Sequence, residues 1–320
     1  MIVNNAYGVY VYRDRVFVDK TAALDAALLA KDTAPLIRYD FHDSVFDALD
    51  WQTQPDVSIN ELYRMRAQQL RDQYDYLILM YSGGSDSRQV VQSFLDNNIL
   101  IDEIITVHPV RITQGWTPVA DPMHDLAFLF EFDLTTEPGL ADIAKRSPRT
   151  KINIVDMSDD LLGQYKNDNY FADKQPHSHL GGIYHTVKTN AAQQQARVSA
   201  QGRGRVGVIY GCDKPNLIVQ DLKVYHFFVD HGLTGSQSQR LTNAVNFEPV
   251  LFFTSADAPL ITVKQCHMVM QAMQRPQVLG WYQHYSSQPR GWATAREITK
   301  HIVYPSWQPG IFQGSKSLHF

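Results

Sequence analysis

The stretch Tyr76–Arg88, YLILMYSGGSDSR, decides the fold of this 320-residue chain. It begins with six residues that carry no charge and continues into a short polar loop with two glycines. An uncharged apolar run of this length, followed by turn residues, predicts a buried strand. The next residues, SRQVVQSFLDNN, place apolar side chains at helical spacing and end in Asn97 and Asn98, which suit a helix terminus. The stretch therefore predicts a strand, a glycine loop and a helix in direct succession.

A helix is predicted before this strand and a second strand after it. Ser58 suits the N-cap of the helix SINELYRMRAQQLRDQY, with Glu61 three residues on as in a capping box. Ile104–Val110 (IITVHPV) predicts the second strand, so Tyr76–Val110 has the size of a βαβ unit with a right-handed crossover. The residues of the first helix that we expect to be buried are Leu62, Met65, Ala67 and Leu70.

Strands and helices are predicted to alternate along most of the chain. Residues 7–18 predict a hairpin of two short strands, and Val206–Tyr210 (VGVIY) predicts a later strand after a long polar helix. This alternation predicts an α/β fold with a doubly wound parallel sheet, in which ligands bind at the carboxyl ends of the strands. The other predicted elements are helices at Ala22–Lys31, Met123–Phe130, His185–Gln201 and Ile261–Met273, strands at Leu36–Phe41 and Ile152–Val155, and an apolar run at Pro249–Phe253.

The composition narrows the class of protein. Hydrophobic residues make up 44 % and charged residues 19 %, which predicts a globular chain with a real core. A net charge of −4 gives no electrostatic reason to expect nucleic-acid binding, although a local basic patch would still allow it. Cys212 and Cys266 are too few for a disulfide framework or a cysteine-rich zinc site, which favours a reducing cytoplasm. We expect neither a signal peptide nor a membrane partner, and a homo-oligomer stays open.

The loop SGGSDS has the chemistry of a phosphate cradle. Glycines allow positive φ angles and let backbone N–H groups approach a ligand. The start of the following helix adds unsatisfied donors and a partial positive charge, and serine hydroxyls add further donors. The candidate ligand-binding residues of the loop are Ser82, Gly83, Gly84, Ser85, Asp86 and Ser87.

Asp86 needs a separate explanation, because a carboxylate beside a phosphate is repulsive unless a cation lies between them. A Mg²⁺ ion that bridges Asp86 and nucleotide phosphates would remove this conflict. The alternative is that Asp86 caps the helix, and a polar turn with helix caps is also an open interpretation of the whole loop. The sequence contains neither a GxxxxGK[ST] loop nor a GxGxxG fingerprint at this position.

The residues YSGGSDS resemble the SGGxDS signature of the PP-loop, or N-type, ATP pyrophosphatases, a superfamily that includes asparagine, NAD and GMP synthetases. The resemblance is strong over Asp75–Pro109 and weaker over Gly211–Pro215. It implies a Rossmann-like, five-stranded parallel sheet with ATP at its carboxyl edge and the loop around the pyrophosphate moiety. It also implies attack by a substrate oxygen on the α-phosphorus of ATP, which gives an adenylylated substrate and Mg-pyrophosphate.

The resemblance assigns roles to residues at two other strand ends. Asp213 would join Asp86 at Mg²⁺, and Lys214 would neutralise charge on the leaving pyrophosphate, so Asp86 and Lys214 are the candidate catalytic residues. A Gly–Asp–Pro turn with an exposed lysine is the alternative. Val107 and His108 end the second strand, where the family holds adenine and ribose through main-chain contacts.

Four further polar residues stay without a definite role. His177 and His179 are two apart, but no nearby ligand completes a metal site, so a substrate-side loop or a plain surface loop is expected. Lys300 and Lys316, towards the end of the chain, are either mobile cations that close over phosphates or solvated lysines.

Within the superfamily, the chain is most similar to asparagine-synthetase-like proteins without a glutaminase domain, because it begins Met-Ile-Val and has no cysteine after the first methionine. Stand-alone proteins of this branch occur in bacteriophages, and a phage protein would act in the host cytoplasm. The predicted regions are an N-terminal α+β extension (1–57), a PP-loop nucleotide-binding α/β domain (58–215) and a mostly helical substrate or lid region (216–320).

The resulting expectation is an ATP-dependent adenylating ligase that uses ATP and Mg²⁺ and activates a carboxyl, amide or carbonyl oxygen of an acceptor. Two alternatives stay open. One is an enzyme of the same superfamily that modifies a nucleobase in tRNA or DNA, and the other is a protein that binds ATP without turnover.

Overall fold

A computed structural model describes residues 6–115, 131–165, 180–211, 216–228, 247–288 and 291–306. The chain divides into two compact units. The sheet unit, which contains four of the five strands of the central sheet, comprises Ala67–Gly211 and Ser306–Phe320, and the second unit comprises Met1–Arg66 and Cys212–Pro305. Residues 1–57 and most of residues 216–320 therefore belong to one unit. The helix predicted at Met123–Phe130 lies outside the described residues.

Strands and helices alternate through the described ranges. The strands are β1 (Val9–Tyr12), β2 (Arg15–Phe17), β3 (Ile37–Asp40), β4 (Tyr76–Met80), β5 (Glu103–His108), β6 (Lys151–Asp156), β7 (Val206–Tyr210), β8 (Leu217–Gln220), β9 (Lys223–His226) and β10 (Phe247–Val250). The helices are α1 (Lys20–Leu29), α2 (Asp43–Phe46), α3 (Ile59–Gln73), α4 (Ser85–Leu95), α5 (Val110–Thr113), α6 (Glu137–Arg146), α7 (Ser158–Tyr165), α8 (Leu180–Ala200), α9 (Leu260–Met273), α10 (Pro276–Ser286) and α11 (Trp292–Val303), with a π-helix at Phe132–Thr136.

The central sheet has five parallel strands in the order β10-β7-β4-β5-β6, which confirms the predicted α/β class. Strand β4 lies in the middle, with Ile78 opposite Glu103 of β5 and Tyr76 opposite Val206 of β7. Leu77 and Leu79 are fully buried, as expected for a strand that is covered on both faces. The uncharged run that begins at Tyr76 therefore forms the middle strand of the sheet.

The predicted βαβ unit is confirmed, since β4 and β5 are parallel neighbours joined through α4. Nearly every residue of α4 is buried, including the polar side chains of its first turn. The chain leaves the helix through Asn98, which has a φ of 56° and so takes the left-handed conformation that asparagine tolerates at helix ends.

Helix α3 forms where it is predicted, but its buried face differs from the predicted one. Ser58 Oγ accepts a hydrogen bond from the Glu61 N–H at 3.2 Å, as an N-cap does. Leu62, Ala67 and Leu70 are buried, whereas the prediction is wrong for Met65, which is 49 % exposed. Arg66 is buried instead, and its guanidinium donates to the Leu251 carbonyl at 2.6 Å and to Ser255 Oγ at 3.1 Å.

The second unit contains the predicted N-terminal hairpin and the C-terminal helices. Strands β1 and β2 pair antiparallel, and β3 joins them in the order β2-β1-β3. A cluster around Tyr7, Phe41, Phe46 and Leu251 forms part of its core. Helix α9 matches the predicted helix at Ile261–Met273, and α10 and α11 follow it. Across the described ranges, no helix combines the length and the apolar character that crossing a membrane requires.

Candidate phosphate-binding site

The SGGSDS loop lies where a ligand site of a parallel sheet is expected, between the carboxyl end of β4 and the start of α4. Gly84 is the N-cap residue of α4, in an extended conformation with φ −70° and ψ 165°. A glycine has no side chain with which to cap the first N–H groups of the helix. The N-terminus of an 11-residue helix therefore begins directly at this loop.

Two serine hydroxyls hold the shape of the loop. Ser87 Oγ accepts from the Ser82 N–H at 3.3 Å and donates to the Gly84 carbonyl at 3.2 Å. Ser82 Oγ lies 3.3 Å from Ser87 Oγ and accepts from the Gly84 N–H at 3.4 Å. These hydroxyls thus have a structural role, and the direct phosphate contacts predicted for Ser82 and Ser87 stay a prediction.

The two glycines of the loop differ in the space beside them. Gly83 has a φ of +77°, and a Cβ on it would lie 2.7 Å from the Thr136 Cα and 2.8 Å from the Thr136 nitrogen. A Cβ on Gly84 would have only ordinary contacts, 3.4 Å from Ser82 Oγ and 3.8 Å from Glu131 Oε1. Gly83 is therefore required for packing, whereas Gly84 has room for a methyl group beside the Ser82 hydroxyl and the Glu131 carboxylate.

The end of a second strand, β7, reaches the same helix terminus. Gly211 directly follows β7, and a Cβ on it would come within 2.9 Å of the Ser87 nitrogen and 3.0 Å of the Ser87 Cα. The segment that contains Asp213 and Lys214 therefore starts against the first turn of α4. Both residues lie outside the described ranges, so their roles as metal ligand and cation stay predictions.

Asp86 and Ser85 occupy the first turn of α4 and are both buried, with 7 % and 6 % of their surface exposed. In the part of the chain that the structure describes, no three His, Cys, Asp or Glu side chains are grouped as a metal site. This finding is compatible with nucleotide-bound Mg²⁺, which takes one or two carboxylates and completes its shell with phosphate oxygens and water. The donor type at Asp86 thus fits Mg²⁺ as part of a nucleotide complex.

Val107 and His108 end β5 and are both buried. The His108 ring stacks on the Phe132 ring, with the centroids 4.2 Å apart and an angle of 15° between the planes. Its Nε2 lies 2.8 Å from Thr113 Oγ1. Burial and the positive charge of Lys188 lower the pKa of His108 to about 4, against the opposing effect of Asp156. The imidazole is therefore neutral at physiological pH.

Three residues at this site could not be predicted from the sequence pattern. Thr136 donates its hydroxyl hydrogen to the Ser82 carbonyl at 2.8 Å, and Phe132 covers His108. Lys188 on α8 supplies a positive charge near His108. The helix start at TTEPG was the one available signal for the first two, since Pro138 suits a first helical turn.

Arg88 follows the loop but is no candidate for phosphate binding. Its guanidinium donates to Asp142 at 2.9 Å and to the Gly139 carbonyl at 3.4 Å. The charge of Arg88 is therefore already matched within the sheet unit by α6.

The remaining predicted residues lie apart from this loop or outside the described ranges. Lys300 is buried in the second unit and forms an ion pair with Glu297 at 3.1 Å, so it is neither a mobile cation nor a solvated lysine. His177, His179 and Lys316 are outside the described residues.

The chain matches no protein-family model, and no curated protein is similar to it at a significant level. The functional assignment therefore depends on the loop and on its surroundings.

Proposed function

We propose that this chain is an ATP-dependent, AMP-forming enzyme of the PP-loop type that adenylylates an acceptor. One observation supports this proposal above the others: α4 starts at Gly84 without a side-chain cap, directly after the middle strand of the sheet. Backbone N–H groups at such a terminus are natural partners of phosphate oxygens. The SGGSDS sequence and this placement agree.

Bound ATP would supply an α-phosphorus for attack by a carboxyl, amide or carbonyl oxygen of the acceptor, with pyrophosphate as the leaving group. The first turn of α4 would bind the β- and γ-phosphates through N–H groups. Asp86 would hold Mg²⁺ against those phosphates, and Asp213 would be a second ligand. Lys214 would stabilise the charge on the leaving pyrophosphate. Main-chain atoms at Val107 and His108 would contact the adenosine moiety.

The test replaces one oxygen of the proposed metal ligand in Asp86→Asn. Binding of ATP is measured by calorimetry with and without Mg²⁺, and pyrophosphate release is measured with a panel of carboxylic acids. We expect wild type to bind ATP more tightly with Mg²⁺ than without it. In Asp86→Asn this Mg²⁺-dependent increase in affinity should be smaller by about tenfold or more, because one charged contact contributes about that much to the binding free energy.

The matched control is Asp96→Asn, at the other end of α4, where Asp96 is exposed and pairs with Arg146 at 2.6 Å. This variant should bind ATP as wild type does. A wild-type protein that binds no ATP with Mg²⁺ would rule out the proposed function. Tight ATP binding without pyrophosphate release from any acceptor would instead indicate a nucleotide-binding protein without turnover.

A further inference from the structure

The π-helix Phe132–Thr136 contacts two neighbouring strand ends. At its carboxyl end, Thr136 donates to the Ser82 carbonyl at 2.8 Å and fills the space beside Gly83. At its amino end, Phe132 stacks on His108 at 4.2 Å. Ser82 follows β4 and His108 ends β5, and these strands are adjacent in the sheet. One five-residue element thus fixes the ends of both strands.

The widened turn is stabilised by its own side chains. The Glu137 N–H bonds to the Phe132 carbonyl, which is the spacing of a π-helix. Thr135 Oγ1 donates to the Glu131 carbonyl at 2.8 Å, and Thr136 Oγ1 lies 3.3 Å from the same carbonyl. Both hydroxyls therefore lie at the carbonyl that starts the widened turn. Single π-turns of this kind are costly and are frequent at functional sites.

We propose that this π-helix is the positioning element of the nucleotide site, with Thr136 fixing the phosphate loop and Phe132 fixing the adenosine side. The inference rests on the proposed function. Thr136 and Phe132 act through Gly83 and His108, so both are positioning residues.

The first test compares Thr136→Val, which keeps the shape and loses the hydroxyl, with Thr136→Ser, which keeps the hydroxyl. Affinities for ATP and for AMP are measured by calorimetry with Mg²⁺. We expect Thr136→Val to lose about fivefold in ATP affinity, the value of one hydrogen bond, and to bind AMP within about twofold of wild type. Thr136→Ser should bind both as wild type does.

The second test concerns the other end of the π-helix and needs no nucleotide. In Phe132→Ala the His108 ring gains water, so its pKa should rise by about one unit or more towards the ordinary value, while Phe132→Tyr should stay near wild type. The charged groups that act on His108, Lys188 on α8 and Asp156 on β6, are the same in all three proteins. The pKa is read from the imidazole NMR signals of His108.

Hydrogen exchange of the Gly83 and Gly84 amides separates this inference from the proposed function. Faster exchange in Thr136→Val than in Thr136→Ser, together with the raised His108 pKa in Phe132→Ala, would show that the π-helix holds the loop and His108 in place, even if wild type binds no ATP and only the proposed function fails. Unchanged exchange in Thr136→Val, or an unchanged His108 pKa in Phe132→Ala, would overturn it. Equal losses of ATP and AMP affinity in Thr136→Val would also overturn the division between the two ends.

Discussion

Two loops of this molecule make the same type of connection, from a strand of the parallel sheet to a helix, and they differ in chemistry. The loop after β4 contains Ser82 and two glycines, with Ser85 and Ser87 in the first turn of the next helix, which starts without a side-chain cap. The loop after β10, residues 251–259 (LFFTSADAP), contains no glycine, and its Phe252 and Phe253 are fully buried. We propose that the first loop binds a ligand, whereas the second is part of a core.

The two loops differ in the side chains that form hydrogen bonds with their backbone groups. After β10, the buried Arg66 donates to the Leu251 carbonyl at 2.6 Å and to Ser255 Oγ at 3.1 Å. Ser255 Oγ in turn accepts from the Asp257 N–H at 3.2 Å. After β4, the hydroxyls of Ser82 and Ser87 hold the loop, and Gly84 leaves the start of α4 without a side-chain cap. A strand–loop–helix connection is thus a phosphate cradle only when no large side chain occupies the place of the ligand.

The largest effect is expected in the β10 loop, from Arg66→Met. This change removes the donor to a buried carbonyl and leaves a poorly filled space, so the free energy of unfolding should fall by about 3 kcal/mol. Urea unfolding measures this loss. The control is Arg64→Met on the same helix, where an exposed ion pair with Glu61 is removed and the urea midpoint should not change. An Arg66→Met protein as stable as wild type would contradict the role given to the guanidinium.

A smaller loss of stability is expected from Gly83→Ala in the β4 loop. Alanine at a φ of +77° costs about 1–2 kcal/mol, and the new methyl group overlaps the Thr136 backbone, which adds about 1 kcal/mol. Thermal unfolding and ATP calorimetry should therefore both show a loss. A stable variant that binds ATP normally would show that the contact with Thr136 is unimportant.

The smallest structural effect is expected from Gly84→Ala, the matched change one residue later. Its backbone angles suit alanine and its methyl group meets no atom closer than 3.4 Å, so the melting temperature should stay at the wild-type value. In the proposed complex the methyl group would lie between the start of α4 and the phosphates, so ATP affinity should fall about tenfold. If Gly84→Ala binds ATP as wild type does, phosphates do not approach the loop from that side.

The central strands and helix of the fold could be predicted from local sequence patterns. The run from Tyr76 to Tyr81 and the helical spacing after it are local features, so β4, α4 and β5 could be predicted with close bounds. The prediction of the buried face of α3 was wrong at Met65, because Arg66 is buried there and has a hydrogen-bond partner 185 residues away, at Leu251. No helical pattern indicates that a charged residue will replace a methionine in a core.

The candidate site could be predicted only in its loop. Gly83 and Gly84 are equivalent in the sequence, and only the contact with Thr136, more than 50 residues later, distinguishes them. The stack of Phe132 on His108 depends on a π-turn, and π-helices have no reliable sequence signal. Residues that position a site through tertiary contacts therefore cannot be predicted from sequence patterns.

The most direct test of the central claim follows the backbone amide signals of Gly83, Gly84 and Ser85 by NMR during titration with ATP and Mg²⁺. We expect these three amides to show the largest shifts in the protein, expect pyrophosphate with Mg²⁺ to reproduce them, and expect adenosine to leave them unchanged. Saturable binding of ATP that leaves these amides unchanged would contradict the claim that the loop after β4 holds the phosphates.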